Sequence, residues 1–185
     1  MHQFWKLPGI RLLLCLGLLG CGGRVDRLAQ SAFLAEGGQA GLTILPAVLR
    51  SGEELRHDAQ EAERLASGLS GLGVLAEAGV GEAPLSPGWK MSGDAMCRRS
   101  AQEFRRWIRQ HPTGSRYVVL PEYQLGTRMV AGVCLYVVDA QGRLAYARRF
   151  DSNDRLYQDM APLGPRDCTN LLISALHEIL GAQRP

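Results

Sequence analysis

The stretch Val130-Ala-Gly-Val-Cys-Leu-Tyr-Val-Val138 carries no charge and little but β-branched and other apolar side chains. Such a run predicts a buried strand, here from Met129 to Asp139, with Cys134 inside it as a small hydrophobe. Asp139-Ala140-Gln141-Gly142 follows as a tight turn, with glycine where the backbone must be permissive. Arg143 to Phe150 then returns as the hairpin partner. A hairpin this apolar must be covered, and the rest of the chain alternates short strands with amphipathic helices.

Leu42 to Leu49 predicts a first buried strand, with Pro46 at a bulge or a strand end. Ser51-Gly52-Glu53-Glu54 reads as a capping box opening a helix on which Leu55, Ala59, Ala62, Leu65, Ala66 and Leu69 recur at helical spacing. Leu72 to Ala76 is a short strand, and residues 77–92 form a long loop around Trp89. A second helix runs from Gly93 to Gln110 on the stripe Cys97, Ala101, Phe104 and Ile108, and His111-Pro112-Thr113-Gly114 stops it. Arg116 to Pro121 is a strand. A polar loop after the hairpin leads to a last helix from Pro165 to Leu180, with proline suited to its first position and Asp167 to its positive end. The order is β-α-β-α-β-β-β-α. It predicts an α/β (α+β) single domain over residues 41–182: a mixed sheet of about five strands with three helices.

At 185 residues the chain has room for one such domain. A hydrophobic share of 46% and a charged share of 21% exclude a disordered tail or a coiled-coil rod. A net charge of +3 gives no nucleic-acid signature.

Residues 1–20 form a signal sequence: His2, Lys6 and Arg11 without an acid, then the apolar run Leu12 to Gly20. That run is too short to span a bilayer, which takes about 20 residues. Its end, Leu18-Leu19-Gly20-Cys21, resembles the lipobox of bacterial lipoproteins. The resemblance implies a lipid (palmitate-type acyl chains) on Cys21 and cleavage after Gly20. Gly22, in place of an aspartate, implies the inner leaflet of the outer membrane, facing the periplasm. The lipid is then the anchor, since a nearly neutral chain does not hold to a membrane by charge. Residues 21–40 are expected to be the lipidated cysteine and a flexible tether.

The periplasm permits disulfides. Cys97, Cys134 and Cys168 remain after Cys15 and Cys21 are set aside. Cys97 and Cys168 both lie early in predicted helices and are the expected pair. The domain also resembles a small periplasmic α/β domain shared by the amino-terminal part of TolB, the curli-secretion lipoprotein and the activators of peptidoglycan synthases. The likeness rests on Ile44-Leu45-Pro46, Tyr117-Val118-Val119-Leu120 and the hairpin Tyr136–Arg143. It implies a protein that binds partners.

No catalytic constellation is legible, so the chain is read as no enzyme. Cys168 and His177 stand nine residues apart on one helix, on opposite faces and about 13.5 Å apart along its axis. There is no Gly-x-Ser-x-Gly elbow, no phosphate loop and no dinucleotide fingerprint, and no cofactor is expected. His57 and Glu61, with Glu53 or Glu54, have a ligand-like spacing that a solvated helix face also produces, and no metal is expected. Asp151, Asp154 and Asp159 read as a polar loop. The most distinctive surface is the second helix, where Arg98, Arg99, Arg105, Arg106 and Arg109 face only Glu103. Arg98, Arg105 and Arg109 share one side as a docking face for an acidic or phosphate-bearing partner, or else pair with the acidic first helix. The expected function is a membrane-anchored accessory binding or scaffold module for another envelope component, with an envelope hydrolase as the alternative.

Overall fold

The computed structural model describes residues 25–88, 91–127 and 129–181. In chain order it contains helix α1 (Arg27–Glu36), strands β1 (Leu42–Ile44), β2 (Ala47–Ser51) and β3 (Glu54–Asp58), helix α2 (Ala59–Gly71) and strand β4 (Ala76–Ala78). Helix α3 (Gly93–Gln110), strands β5 (Tyr117–Leu125), β6 (Val130–Asp139) and β7 (Leu144–Phe150), and helices α4 (Arg155–Met160) and α5 (Pro165–Gly181) complete it. The predicted α/β single domain is present, with seven strands and five helices among the described residues in place of about five and three.

The two extra strands arise at two places: the predicted first strand is split into β1 and β2, and β3 replaces the start of the predicted first helix. β1 and β2 both run parallel to β5, on Tyr117–Val119 and Glu122–Gln124 respectively. They are one strand column interrupted at Leu45-Pro46. β4 continues the sheet beside β1, and β3 beside β2. Ile44 pairs with Val119 and Val48 with Glu122, so four steps on one side match three on the other. The extra residue is a bulge, the place predicted for Pro46. It reverses side-chain parity. Leu42 and Ile44 are even-numbered and Ala47 and Leu49 odd, yet all four face the same core.

Pro121 sits opposite this interruption. Leu45 N–H donates to Val119 O at 2.9 Å, so the odd-numbered groups of β5 point toward the interrupted column. Proline there lacks only a donor that the break leaves without a partner. β5 therefore continues through Pro121 to Leu125, four residues past the predicted end.

Two local expectations change. Ser51-Gly52-Glu53-Glu54 is the turn of the β2–β3 hairpin, with Gly52 at φ 59°, where a two-residue hairpin accepts glycine. The helix cap is Asp58, whose carboxylate accepts from Glu61 N–H at 3.2 Å. Residues 27–36, expected to be part of a flexible tether, form α1. Asp26 caps it, and Ala29 and Phe33 are buried against the sheet.

The sheet separates two cores. α1, α2, α4 and α5 cover one face, where Phe33, Leu65, Leu69, Leu172 and Leu176 meet Ile44, Val119, Leu135, Val137 and Phe150. α3 alone among the described helices covers the other, with Cys97, Ala101, Phe104 and Ile108 on Leu45, Val48, Val118, Leu120, Cys134, Tyr136 and Val138. No helix among the described residues is long and apolar enough to cross a membrane.

Candidate functional site

α3 spans the residues predicted for it, and its predicted stripe is the buried one. Ser92 caps its start and His111 its end, where the imidazole stacks on Trp107 at 5.1 Å. At about 100° per residue, Arg98, Arg105 and Arg109 fall within an arc of roughly 40°. Arg98, Arg106 and Arg109 are exposed and form no ion pair with a described residue. Arg99 is held by Glu103 at 2.9 Å. Arg105 is half-buried and donates to Gly142 O at 3.4 Å, and the Arg109 side chain packs on Gly142 in the β6–β7 turn. The alternative of pairing with the acidic first helix does not hold, because α2 lies on the opposite face of the sheet.

Beneath α3 lies a buried polar cluster that local sequence reading does not find. Arg50 Nε donates to Glu122 Oε1 at 2.7 Å, and these side chains are 3% and 0% exposed. The other guanidinium nitrogens reach Ser86 O at 3.1 Å and Ser100 Oγ at 3.4 Å. Tyr136 donates its hydroxyl to Glu122 Oε2 at 3.0 Å. Burial, and then the Glu122 carboxylate, raise the Tyr136 hydroxyl well above its ordinary pKa. The cluster keeps Arg50 and Glu122 satisfied inside a dry layer and ties β2 and β5 to α3.

Cys97 is bonded to Cys134, with Cα atoms 6.4 Å apart, and Gln124 Nε2 lies 3.4 Å from each sulfur. The expected Cys97–Cys168 bridge is corrected. Cys134 shares even parity on β6 with Tyr136 and Val138 and so faces α3, whereas Cys168 is buried with α5 in the other core. Burial first, then Asp167 and Glu61, push the Cys168 thiol up to about 12. In the native mature chain Cys168 should therefore resist alkylation at mildly alkaline pH. After unfolding without reductant it should label fully, while Cys97 and Cys134 appear as one linked peptide. Native labelling of Cys168, or free Cys97, would contradict this arrangement.

The other weighed residues do not converge. His57 lies on β3, with Nε2 at 3.1 Å from Ala83 O and Nδ1 at 3.4 Å from Glu82. Glu61 is buried on α2, bonded to Thr169 and Arg64. Thr169 in turn meets the Tyr123 hydroxyl at 2.7 Å. Asp154 caps α4 and pairs with Arg148 at 2.6 Å, Asp151 binds Arg149, and Asp159 lies 3.6 Å from Arg155. His177 stands far along α5 from Cys168, at a cavity of about 460 Å³ shared with Glu36, Gln39, Val74 and Leu180. Cys21 and Trp89 lie outside the described residues.

The start of the domain adjoins the arginine side of α3. Val25 packs with the core under α3, and Asp26 N–H donates to Leu144 O at 2.9 Å. The Asp26 carboxylate is held below its usual range, chiefly by the Ala29 backbone N–H and more weakly by Arg143 and Arg105.

No family model matches the chain, and no curated protein matches it. Solved structures that resemble it include a PelC dodecamer from Paraburkholderia phytofirmans, 15% identical with a TM-score of 0.40 over 76% of this chain and 87% of that one. TolB from Acinetobacter baumannii is 11% identical with a TM-score of 0.39, over 89% of this chain and 30% of TolB. Lipoprotein GNA1162 from Neisseria meningitidis is 15% identical with a TM-score of 0.34, over 78% of this chain and 99% of that one. At these identities and scores the likeness assigns no activity.

Proposed function

We propose that the chain is a lipid-anchored accessory module of a bacterial cell envelope, held through Cys21 at the periplasmic side of the outer membrane. The observation that carries this reading is the Cys97–Cys134 disulfide inside the α3 core. Such a bond persists in an oxidising compartment, which agrees with the signal-like residues 1–20 that precede the lipobox cysteine. The module works by binding: α3 presents guanidinium groups outward, and the helices on the opposite face build a second, independent surface for another envelope component.

Cys21→Ser should abolish incorporation of a clickable fatty acid and leave the signal uncleaved, because the acceptor thiol is gone. Label on the Cys21→Ser protein equal to that on the wild type would end the lipoprotein reading. Crosslinking in envelope fractions should recover a discrete partner.

A further inference from the structure

The arginine side of α3 and the start of the domain occupy one corner. Val25 is packed in the core that α3 covers, while Ala29 and Phe33, one and two turns later, are buried in the opposite core. Just after residue 25 the chain therefore passes around the β7 edge of the sheet, from the α3 core to the opposite one. Asp26 is fixed to the first residue of β7. The turn just before it, at Gly142, is the one on which Arg105 and Arg109 rest.

The length of chain before this corner sets how far the domain stands from an anchor at Cys21. Four chain steps lead from Cys21 to Val25, a reach of at most about 14 Å. Arg98 to Arg109 spans about 16 Å along α3, comparable to that reach. With Cys21 acylated, the bilayer surface would lie within that reach of Val25, at the corner where this side of α3 meets the β6–β7 turn. The arginines there have charge to offer: Arg98 and Arg109 form no ion pair with a described residue.

We propose that Arg98, Arg105 and Arg109 rest on the anionic phosphate groups of the same membrane that the acylated Cys21 enters, so that α3 lies along the bilayer and orients the domain. The inference rests on the lipoprotein reading for the anchor. It does not make charge the source of membrane retention, which the acyl chains supply. The arginines instead select one orientation among those the short tether allows. A planar guanidinium fork matches a phosphate with two parallel hydrogen bonds. Tethering keeps those phosphates at a local concentration that a diffusing acidic protein does not reach. The opposite surface, built from α2 and α5, is then turned toward the periplasm.

The test uses the acylated mature chain reconstituted into vesicles of phosphatidylcholine, with or without phosphatidylglycerol. An exposed reporter thiol is placed on α3 by Gln102→Cys, or on the opposite face by Ser67→Cys, and its labelling by a membrane-impermeant maleimide is timed. A basic side chain near an anionic surface is worth roughly fivefold, so three favour one orientation by on the order of a hundredfold. Labelling at Gln102→Cys should slow by about tenfold or more when phosphatidylglycerol is present. Labelling at Ser67→Cys should not change. High salt, or Arg98→Gln, Arg105→Gln and Arg109→Gln together, should restore the rate seen in phosphatidylcholine. Equal Gln102→Cys rates in the two vesicle types overturn the proposal and leave the arginines to a diffusing acidic partner. If mass analysis shows no acyl group on the chain, the lipoprotein reading fails separately. Holding that unacylated chain by its amino terminus on a chelating lipid in the same two vesicle types then decides the arginine contact: slower Gln102→Cys labelling with phosphatidylglycerol upholds it, and equal rates reject it.

Discussion

Glu122→Ala should destabilise the domain by about 3–5 kcal/mol, as expected when one partner of a buried ion pair is removed. The carboxylate it deletes is fully buried and is the one ion-pair partner of Arg50 among the described residues. Arg50 keeps its bonds to Ser86 O and Ser100 Oγ, but its charge is left in a dry layer, and the Tyr136 hydroxyl loses its acceptor. For a domain of this size the loss corresponds to a fall in Tm of about 10 °C. Urea denaturation measures it. The double replacement Arg50→Met with Glu122→Leu should lie closer to wild type than Glu122→Ala, because it removes the stranded charge together with its partner. A cost below about 1 kcal/mol for Glu122→Ala would put the pair in the class of weak, solvent-screened contacts and contradict its burial.

Replacing Cys97 and Cys134 together by alanine should cost a comparable amount. The bridge closes a sequence separation of 37 residues, for which restriction of the unfolded chain predicts about 4 kcal/mol. Both sulfurs are buried between α3 and β6, so the alanines also leave a small void and the Gln124 amide without its sulfur partners. Reductant should lower the Tm of the wild type and leave that of the double variant unchanged. A reductant-insensitive wild type would show that the bridge does not form.

The elements legible in the sequence are those whose signals are local and agree with one another. α3 combines an apolar stripe with a proline stop one residue beyond its cap, and its span is read to the residue. The β6–β7 hairpin has a long apolar strand and a glycine at φ 71° in its turn. Ser51-Gly52-Glu53-Glu54 is ambiguous for a physical reason. A serine followed by acidic residues serves a helix start, and a glycine after a strand serves a hairpin. The parallel pairing of β2 with β5, which no local pattern reports, decides between them. α1 presents only two deeply buried side chains, Ala29 and Phe33, too few to mark a helix by periodicity.

The same distinction governs the candidate site. The arginines of α3 are adjacent on one helix and so are visible in the sequence. Arg50 and Glu122 are separated by 72 residues, and each stands at the polar margin of an apolar segment, where a charge ordinarily meets water. The choice of Cys134 over Cys168 depends on which side of the sheet α3 and α5 occupy. Helical spacing within each segment is silent on that.

The surplus residue at Leu45-Pro46 acts as a keyed joint. Upstream of it, even-numbered side chains of the column turn toward α1, α2 and α5; downstream they turn toward α3. Arg50 meets Glu122 only because the joint has already inverted the strand beneath it. Shortening the chain by one residue at that point would preserve every amino acid of β2 while exchanging its two sides, delivering a guanidinium into the leucine-rich layer and Leu49 to the carboxylate. The meeting of opposite charges is thus specified by counting along the backbone rather than by attraction between them. A homologue that conserves both charged residues but lacks the extra step would have to find a different use for each.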